Sequence, residues 1–432
     1  MRNSLVVTAL AGALLAIGGT AAMTASAAAD PVNLTLRHCW GGDAEMAAMQ
    51  KVVDKWNTAN PDIQVKSVGG SIDAAEITAS AAGGNPPDMV IMCDNSAVAG
   101  FAHDGVIAPL DDLLKKINAD TSDIIPSSLA WTQYNGKQYG LPFGQDTYAL
   151  YYDVDAFKAA GLDPSKPPQT MDELWDDAAK LTKWNADGTL ARAGFIPNDP
   201  YKNTEQTSAL FGCQFYDEAS KKITVNSPAC VAWMGWFKKW YDTYNKNNAL
   251  VNAIASRTGG DAGLLISGKQ AMGIYGEWNT GAAYIPVVAP NLHYETAPVP
   301  SLDPALYGAG FMNGNAFMIM SGSKHQEESM KFGMYLMTDD ASKVMILQNS
   351  SVPQLKSLLT DPALTSIPHF TAFLKIAAFP KSWTTPMISA YSELIDGLNT
   401  TLDSVLTGGA DPKAALDQLA TSIQAKVDAN AS

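Results

Sequence analysis

Three stretches of this chain set aromatic, carboxylate and amide side chains directly after segments that read as β-strands: Trp40-Gly41-Gly42-Asp43, Cys93-Asp94-Asn95-Ser96 and Glu277-Trp278. A fourth place, Gln145-Asp146, sits where a loop becomes a strand. Aromatic faces take up apolar ring surface, and planar amides and carboxylates bond to hydroxyls, so these groups suit a neutral polyhydroxylated ligand. The carboxylates admit a second chemistry. Asp146 with Glu277 or Asp43 could act as the acid and base pair of a glycoside-cleaving enzyme. No nucleophile motif accompanies them, and no Cys/His cluster has metal-ligand spacing, so no catalytic residue, metal or cofactor is expected. Each residue also has a structural reading. Trp40 and Trp278 could be core rings, while Asp43 and Asp94 could cap the helices that follow them.

The elements that would position these groups follow in chain order. Val32 to Cys39, Ile63 to Val68 and the apolar run Met89-Val90-Ile91-Met92 read as strands, the last buried on both faces. Between them, Glu45 to Asn57 has Met46, Met49, Val53 and Trp56 on one helical stripe. This β-α-β-α-β order implies an open parallel sheet flanked by helices, in which ligands bind beyond the carboxyl ends of the strands. Asn135 to Asp153 then reads as a hinge. Asn135-Gly136 is a turn dipeptide, Leu141-Pro142-Phe143-Gly144 disfavours a central strand, and Thr147 to Tyr152 alternates as a strand. Thr170 and Glu173 form a capping box. Trp233, Phe237, Trp240 and Tyr244 make a helical row best read as core. Ala297 to Pro300 and Asn349 to Pro353 read as further crossings between the two units. The remainder is mostly helical, ending in a helix opened by Pro412.

Residues 1–29 combine Arg2, an apolar run from Leu5 to Ile17 and small residues at 25–29, the pattern of a secretory leader. No cysteine sits there for lipid attachment, so a free periplasmic product is expected. The formal charge is −14, and removing Arg2, the one charge in the leader, makes it −15. That acidity argues against nucleic acid and anionic membrane as partners. Beyond the leader only Arg37, Arg192 and Arg257 remain for bidentate capture of phosphate or carboxylate, which favours a neutral ligand. Four cysteines in an exported chain suggest disulfides. Cys213–Cys230 is expected from proximity in sequence. Cys39–Cys93 is expected because each follows a parallel strand, and neighbouring strands lie about 4.8 Å apart.

Several blocks in order carry a family likeness: Asn135-Gly136-Lys137-Gln138-Tyr139-Gly140-Leu141-Pro142, Leu150 to Gly161, Ser267-Gly268-Lys269-Gln270-Ala271-Met272 with Gly276-Glu277-Trp278, and Asn313 to Phe317. On these the chain resembles bacterial extracellular solute-binding proteins of the carbohydrate-uptake type, the group that includes maltose-binding protein. The resemblance implies an α/β, two-lobe periplasmic-binding-protein fold, each lobe a mainly parallel sheet flanked by helices, joined by a multi-crossing hinge. With the leader at 1–29, lobe one would comprise 30–144 and 299–350, and lobe two 145–298 and 351–432. The implied role is capture of a neutral sugar or oligosaccharide between the lobes, as a monomer, and its delivery to the membrane subunits of an ABC importer. The resemblance puts ligand contacts at Trp278, Gln145, Asp146 and Asp94 or Asn95. Where the family has Gly-Gly this chain has Asn313-Gly314, making Asn313 a further candidate. Late aromatics that close the cleft would be Trp383 and Tyr391.

Overall fold

The computed structural model describes residues 30–93, 95–281 and 284–430; the expected leader lies outside them. In chain order the principal strands are β1 (Val32–His38), β2 (Ile63–Gly69), β3 (Met89–Met92), β4 (Gly140–Asp153), β5 (Leu190–Phe195), β6 (Gln270–Gly276), β7 (Tyr294–Ala297) and β8 (Met312–Ile319). The main helices are α1 (Asp43–Ala59), α2 (Ala74–Ala82), α3 (Val98–His103), α4 (Met171–Leu181), α5 (Thr204–Ser208), α6 (Pro228–Tyr244), α7 (Gln326–Leu336), α8 (Asp339–Asn349), α9 (Tyr391–Leu406) and α10 (Pro412–Asn430).

The first half is built as its alternating elements require. β2, β1 and β3 pair in parallel. All four residues of β3 are buried, as a strand covered on both faces demands. α1 lays Met49, Val52, Val53 and Trp56 on this sheet. β8 then pairs antiparallel with β3 on one side and with β4 on the other. In the second half β6 pairs antiparallel with β4 and parallel with β5, while β7 joins the opposite edge of β4. The sheet is therefore mixed, and its two halves are joined through β4.

β4 runs for 14 residues, about 45 Å at strand rise. Its first half faces β8, from Gly140 to Thr147, and its second half faces β6 and β7. The expected interruption at Leu141–Gly144 is absent, because Pro142 and its neighbours are part of the strand. The reason is local. Over this stretch β4 has a ladder partner on one side only, so a residue without an N–H is tolerated as on any edge strand. The ladder is broken instead opposite, by a register shift between Gly314 and Ala316. A Cβ on Gly314 would lie 2.4 Å from the Gly144 carbonyl oxygen, so that close approach requires glycine.

A third passage of the chain is pinned to the same point. Gln145 and Val352 exchange backbone hydrogen bonds of 2.8 Å in both directions. The Gln145 amide donates to Pro353 O at 2.7 Å, and Gly144 N donates to Gln354 Oε1 at 3.1 Å.

Separate cores lie on either side of these crossings. One gathers Leu36, Val53, Ile91, Phe332 and Met345, and also takes in Leu355, Leu358 and Leu364. Another packs Phe157, Leu174, Phe195 and Ile274 around Trp240. A third joins Trp233 and Phe237 to Leu394, Leu398 and Leu416 of α9 and α10. The helical row of α6 is thus core, with Trp233, Phe237 and Trp240 all fully buried. Both expected disulfides are formed: Cys39–Cys93, with Cα atoms 5.6 Å apart, and Cys213–Cys230, at 4.5 Å. The first ties the ends of neighbouring strands β1 and β3 together. The second ties the start of α6 to the loop before it.

Candidate functional site

A cavity of about 440 Å³ lies between the two halves, lined from β4, β8, the turns after β3 and β6, and the start of α9. Its volume is within the roughly 300–1,000 Å³ typical of small-ligand sites. The pleat of β4 decides which side chains reach it. Asp146 and Tyr148, two apart, both line the cavity. Gln145 and Thr147 point the other way. Gln145 Oε1 accepts from Ser128 Oγ at 2.8 Å, and Thr147 Oγ1 donates to Phe311 O at 2.7 Å. Asn313 is the direct cross-strand partner of Asp146, so both stand on the same face.

The turn after β3 brings in Asn95, only 1% exposed. Its amide nitrogen donates to Trp131 O at 3.1 Å and Thr385 Oγ1 at 2.9 Å, joining the first half to the segment before α9. Its Oδ1 has no hydrogen-bond partner among the described residues. From the second half come rings. Trp278, in the short 3-10 turn Glu277–Thr280 after β6, is half-buried and lines the cavity. Its ring centroid is 5.7 Å from that of Tyr148 and 6.3 Å from that of Tyr201, both edge-on. Gly276 makes room for it: a Cβ there would fall 2.1 Å from Trp278 Cζ3. Tyr391, buried at the head of α9, donates its hydroxyl hydrogen bond to Glu205 Oε1.

The electrostatics are acidic. Asp146, Glu205 and Asp396 line the cavity, and among its described lining residues there is no Lys, Arg or His. Glu277, fully buried, accepts from Thr147 N at 2.9 Å and lies against the Asp146 carboxyl. Burial first, and the Asp146 charge second, push the Glu277 carboxyl well above its ordinary range. Glu277 thus holds the crossing strand from behind, through its bond to Thr147 N. Burial, then Asp146 and Glu205, likewise keep the Tyr148 phenol protonated. Such a site offers carboxylate and amide acceptors to hydroxyl donors, beside ring surface for apolar faces.

Asn95, Asp146, Trp278, Asn313 and Tyr391 meet in this cavity. Trp383 lines an adjoining cavity of about 570 Å³ that shares Glu205, Thr385 and Tyr391 with the first. Its indole N–H donates to Glu205 O at 2.9 Å. Three other candidates are elsewhere. Trp40 is a core ring, 6% exposed, packed on Phe143 at 6.0 Å and His38 at 5.5 Å. Asp43 is exposed at the first position of α1, with Gly42 as the cap. Gln145 holds the crossing, as described. Asp94 lies outside the described residues. Tyr148, Tyr201, Glu205 and Asp396 also line the cavity without having been singled out. Tyr148 was available from the alternation that includes Asp146. Tyr201 and Glu205 fall in 198–213, a stretch whose sequence resembles the family's cleft-lining loops but where no periodicity points to individual residues.

The family described as bacterial extracellular solute-binding protein matches residues 40–343. The galactooligosaccharide-binding protein of Bacillus subtilis is 27% identical over 302 residues, 68% of this chain and 67% of that one. The maltooligosaccharide ABC transporter solute-binding lipoprotein of Streptococcus pneumoniae is 26% identical over 353 residues, covering 79% of this chain and 76% of its own. The structure of CpMnBP1 with mannotriose bound superposes with a TM-score of 0.78 at 28% identity, over 91% of this chain and all of that one.

Proposed function

The chain belongs to the bacterial extracellular solute-binding protein family, and from that premise we propose that its central cavity captures a neutral sugar or oligosaccharide. Delivery to the membrane subunits of an ABC importer follows from that role. One observation carries the reading: side chains from both halves and from the crossing strands converge on a single cavity that combines aromatic rings, amides and carboxylates with no described cation. Bringing Asn95 toward Trp278 and Tyr391 by closure about the crossings would strengthen every contact at once, so ligand shifts the open–closed population. The names of the similar proteins, which specify galacto-, maltooligosaccharide and mannotriose ligands, support the substrate class.

On the sequence the lobes divide as 30–144 with 299–350, and 145–298 with 351–432, and we propose that division with its last boundary shifted. The packing of Leu355, Leu358 and Leu364 on the first core supports moving the last crossing beyond Leu364. The protein is proposed to act as a monomer in the periplasm. Among the described residues no helix is long and apolar enough to cross a membrane. Binding without turnover is supported by the similar proteins, which are named as solute-binding proteins. Asp43 does not line the cavity, and Glu277 contacts Asp146, so neither pair flanks an open space as glycosidic cleavage requires.

The test is incubation of purified protein with manno-, malto- and galactooligosaccharides. The expected result is ligand-dependent thermal stabilisation with the sugar recovered intact. Multiple turnovers to cleaved product would overturn the binding role. Trp278→Ala should abolish the sugar-induced stabilisation.

A further inference from the structure

Behind the ring wall of the cavity sits a carboxylate that does not itself line it. Asp261 lies in the turn between two short helices of the second half, half-buried. Its Oδ2 accepts from Trp278 Nε1 at 3.1 Å, and the same oxygen accepts from the Tyr201 hydroxyl. Both donors belong to rings that line the cavity, and both rings contact Tyr148 edge-on, at 5.7 and 6.3 Å. The nearby cation, Arg257, is directed at Asp199 instead, with its Nε 3.7 Å from Asp199 Oδ1.

We propose that Asp261 is a positioning residue that fixes the orientation of the Trp278 and Tyr201 rings, and so presets the stacking wall before ligand arrives. A carboxylate oxygen can accept two hydrogen bonds, and charge-assisted bonds are about twice as strong as neutral ones. Trp278 is otherwise carried on a four-residue turn, seated over Gly276 and in edge contact with Tyr148 and Tyr201, with no other hydrogen-bond partner for its indole N–H among the described residues. The bond to Asp261 fixes the direction of the indole N–H edge in the unliganded protein. Ligand then loses less free energy in ordering the wall, which is preorganisation. The inference rests on the sugar-binding reading of the cavity, and its test separates the two.

The full chain, labelled with nitrogen-15 in its indoles, is compared as wild type, Asp261→Ala, Asp261→Asn and Tyr201→Phe. The Trp278 indole N–H resonance is assigned from its loss in Trp278→Phe. In unliganded protein, Asp261→Ala should shift or broaden that resonance. Asp261→Asn, which keeps an acceptor oxygen, should largely restore it. With mannotriose as probe, Asp261→Ala should weaken binding roughly tenfold and Asp261→Asn only about threefold. Tyr201→Phe should fall between wild type and Asp261→Ala. An unmoved Trp278 resonance in folded Asp261→Ala overturns the proposal, whatever the sugar result. So does equal displacement of the resonance in the Asn and Ala variants, which would mark a purely structural role. Failure of wild type to bind any sugar of the panel would sink the functional reading alone, since the resonance is read without ligand.

Discussion

Two tryptophans stand just beyond strand ends in this molecule, each beside glycine and near a carboxylate, and they have opposite fates. Trp40, after β1, is sealed by Phe143 and His38 and belongs to the core under α1. Trp278, after β6, is seated on Gly276, held at its N–H edge by Asp261, and left half-open to the cavity. A position beyond a strand end is therefore not enough to make a ring a ligand surface. What decides is whether the opposing element covers the ring. On the first side β4 passes close enough for Phe143 to do so. On the second, the crossing strands stand back and leave a cavity.

The comparison is broken most directly by deleting both rings. Trp40→Ala should lower unfolding free energy by about 3–5 kcal/mol, as for a large buried aromatic. Trp278→Ala should lower it by at most about 1 kcal/mol while removing ligand-induced stabilisation. Chemical denaturation with and without sugar measures both. If the two variants lose similar stability, or if Trp40→Ala loses only ligand response, the contrast is wrong.

A smaller effect separates the buried charges of the second half. Asp199 is fully buried, neither carboxylate oxygen has a hydrogen-bond partner among the described residues, and Arg257 approaches only to 3.7 Å. Burial pushes its carboxyl up to about 7, with Arg257 opposing. The folded state thus holds this proton more tightly than the unfolded chain. The associated stability is present below about pH 4 and is lost as pH rises to about 7. Asp199→Asn should therefore gain on wild type by roughly 2–4 kcal/mol between pH 4 and pH 8. Parallel stability curves for the two proteins across that range would refute the assignment.

How much of this was legible in the sequence can be judged residue by residue. Trp278 and Asn95 could be found because a sheet presents ligand sites at strand ends, and the strands themselves were marked by apolar runs. Asp146 was found from its place at the expected crossing, and it lies within β4. Gln145 was readable too. Successive strand residues face opposite ways, so Gln145 and Asp146 could not both face one cavity. Asp261 was not readable, and Tyr201 and Glu205 were readable only as members of the stretch 198–213, which resembles the family's cleft-lining loops. Tyr201 and Asp261 lie in loops and Glu205 on the short α5, and only the packing of segments distant in sequence, such as Trp278 with Asp261, brings them to the wall. Pro142 misled for a related reason, since a proline speaks to local pairing while the open flank of β4 is a property of the whole sheet.

The smallest effect tests the same contrast at its polar end. Asp43 follows Trp40 by three residues, the position the sequence offers for a ligand-binding carboxylate, yet it sits exposed in the first turn of α1. There it faces the unpaired N–H groups and positive dipole end of a 17-residue helix. Asp43→Ala should cost about 0.3–0.5 kcal/mol at low ionic strength and less at high salt, because an exposed charge–dipole interaction is screened. Sugar affinity should remain within error of wild type. If the variant instead binds several-fold more weakly while its stability is unchanged, the turn after β1 reaches the ligand on closure. Trp40 would then be the buried footing of a binding loop rather than a core ring.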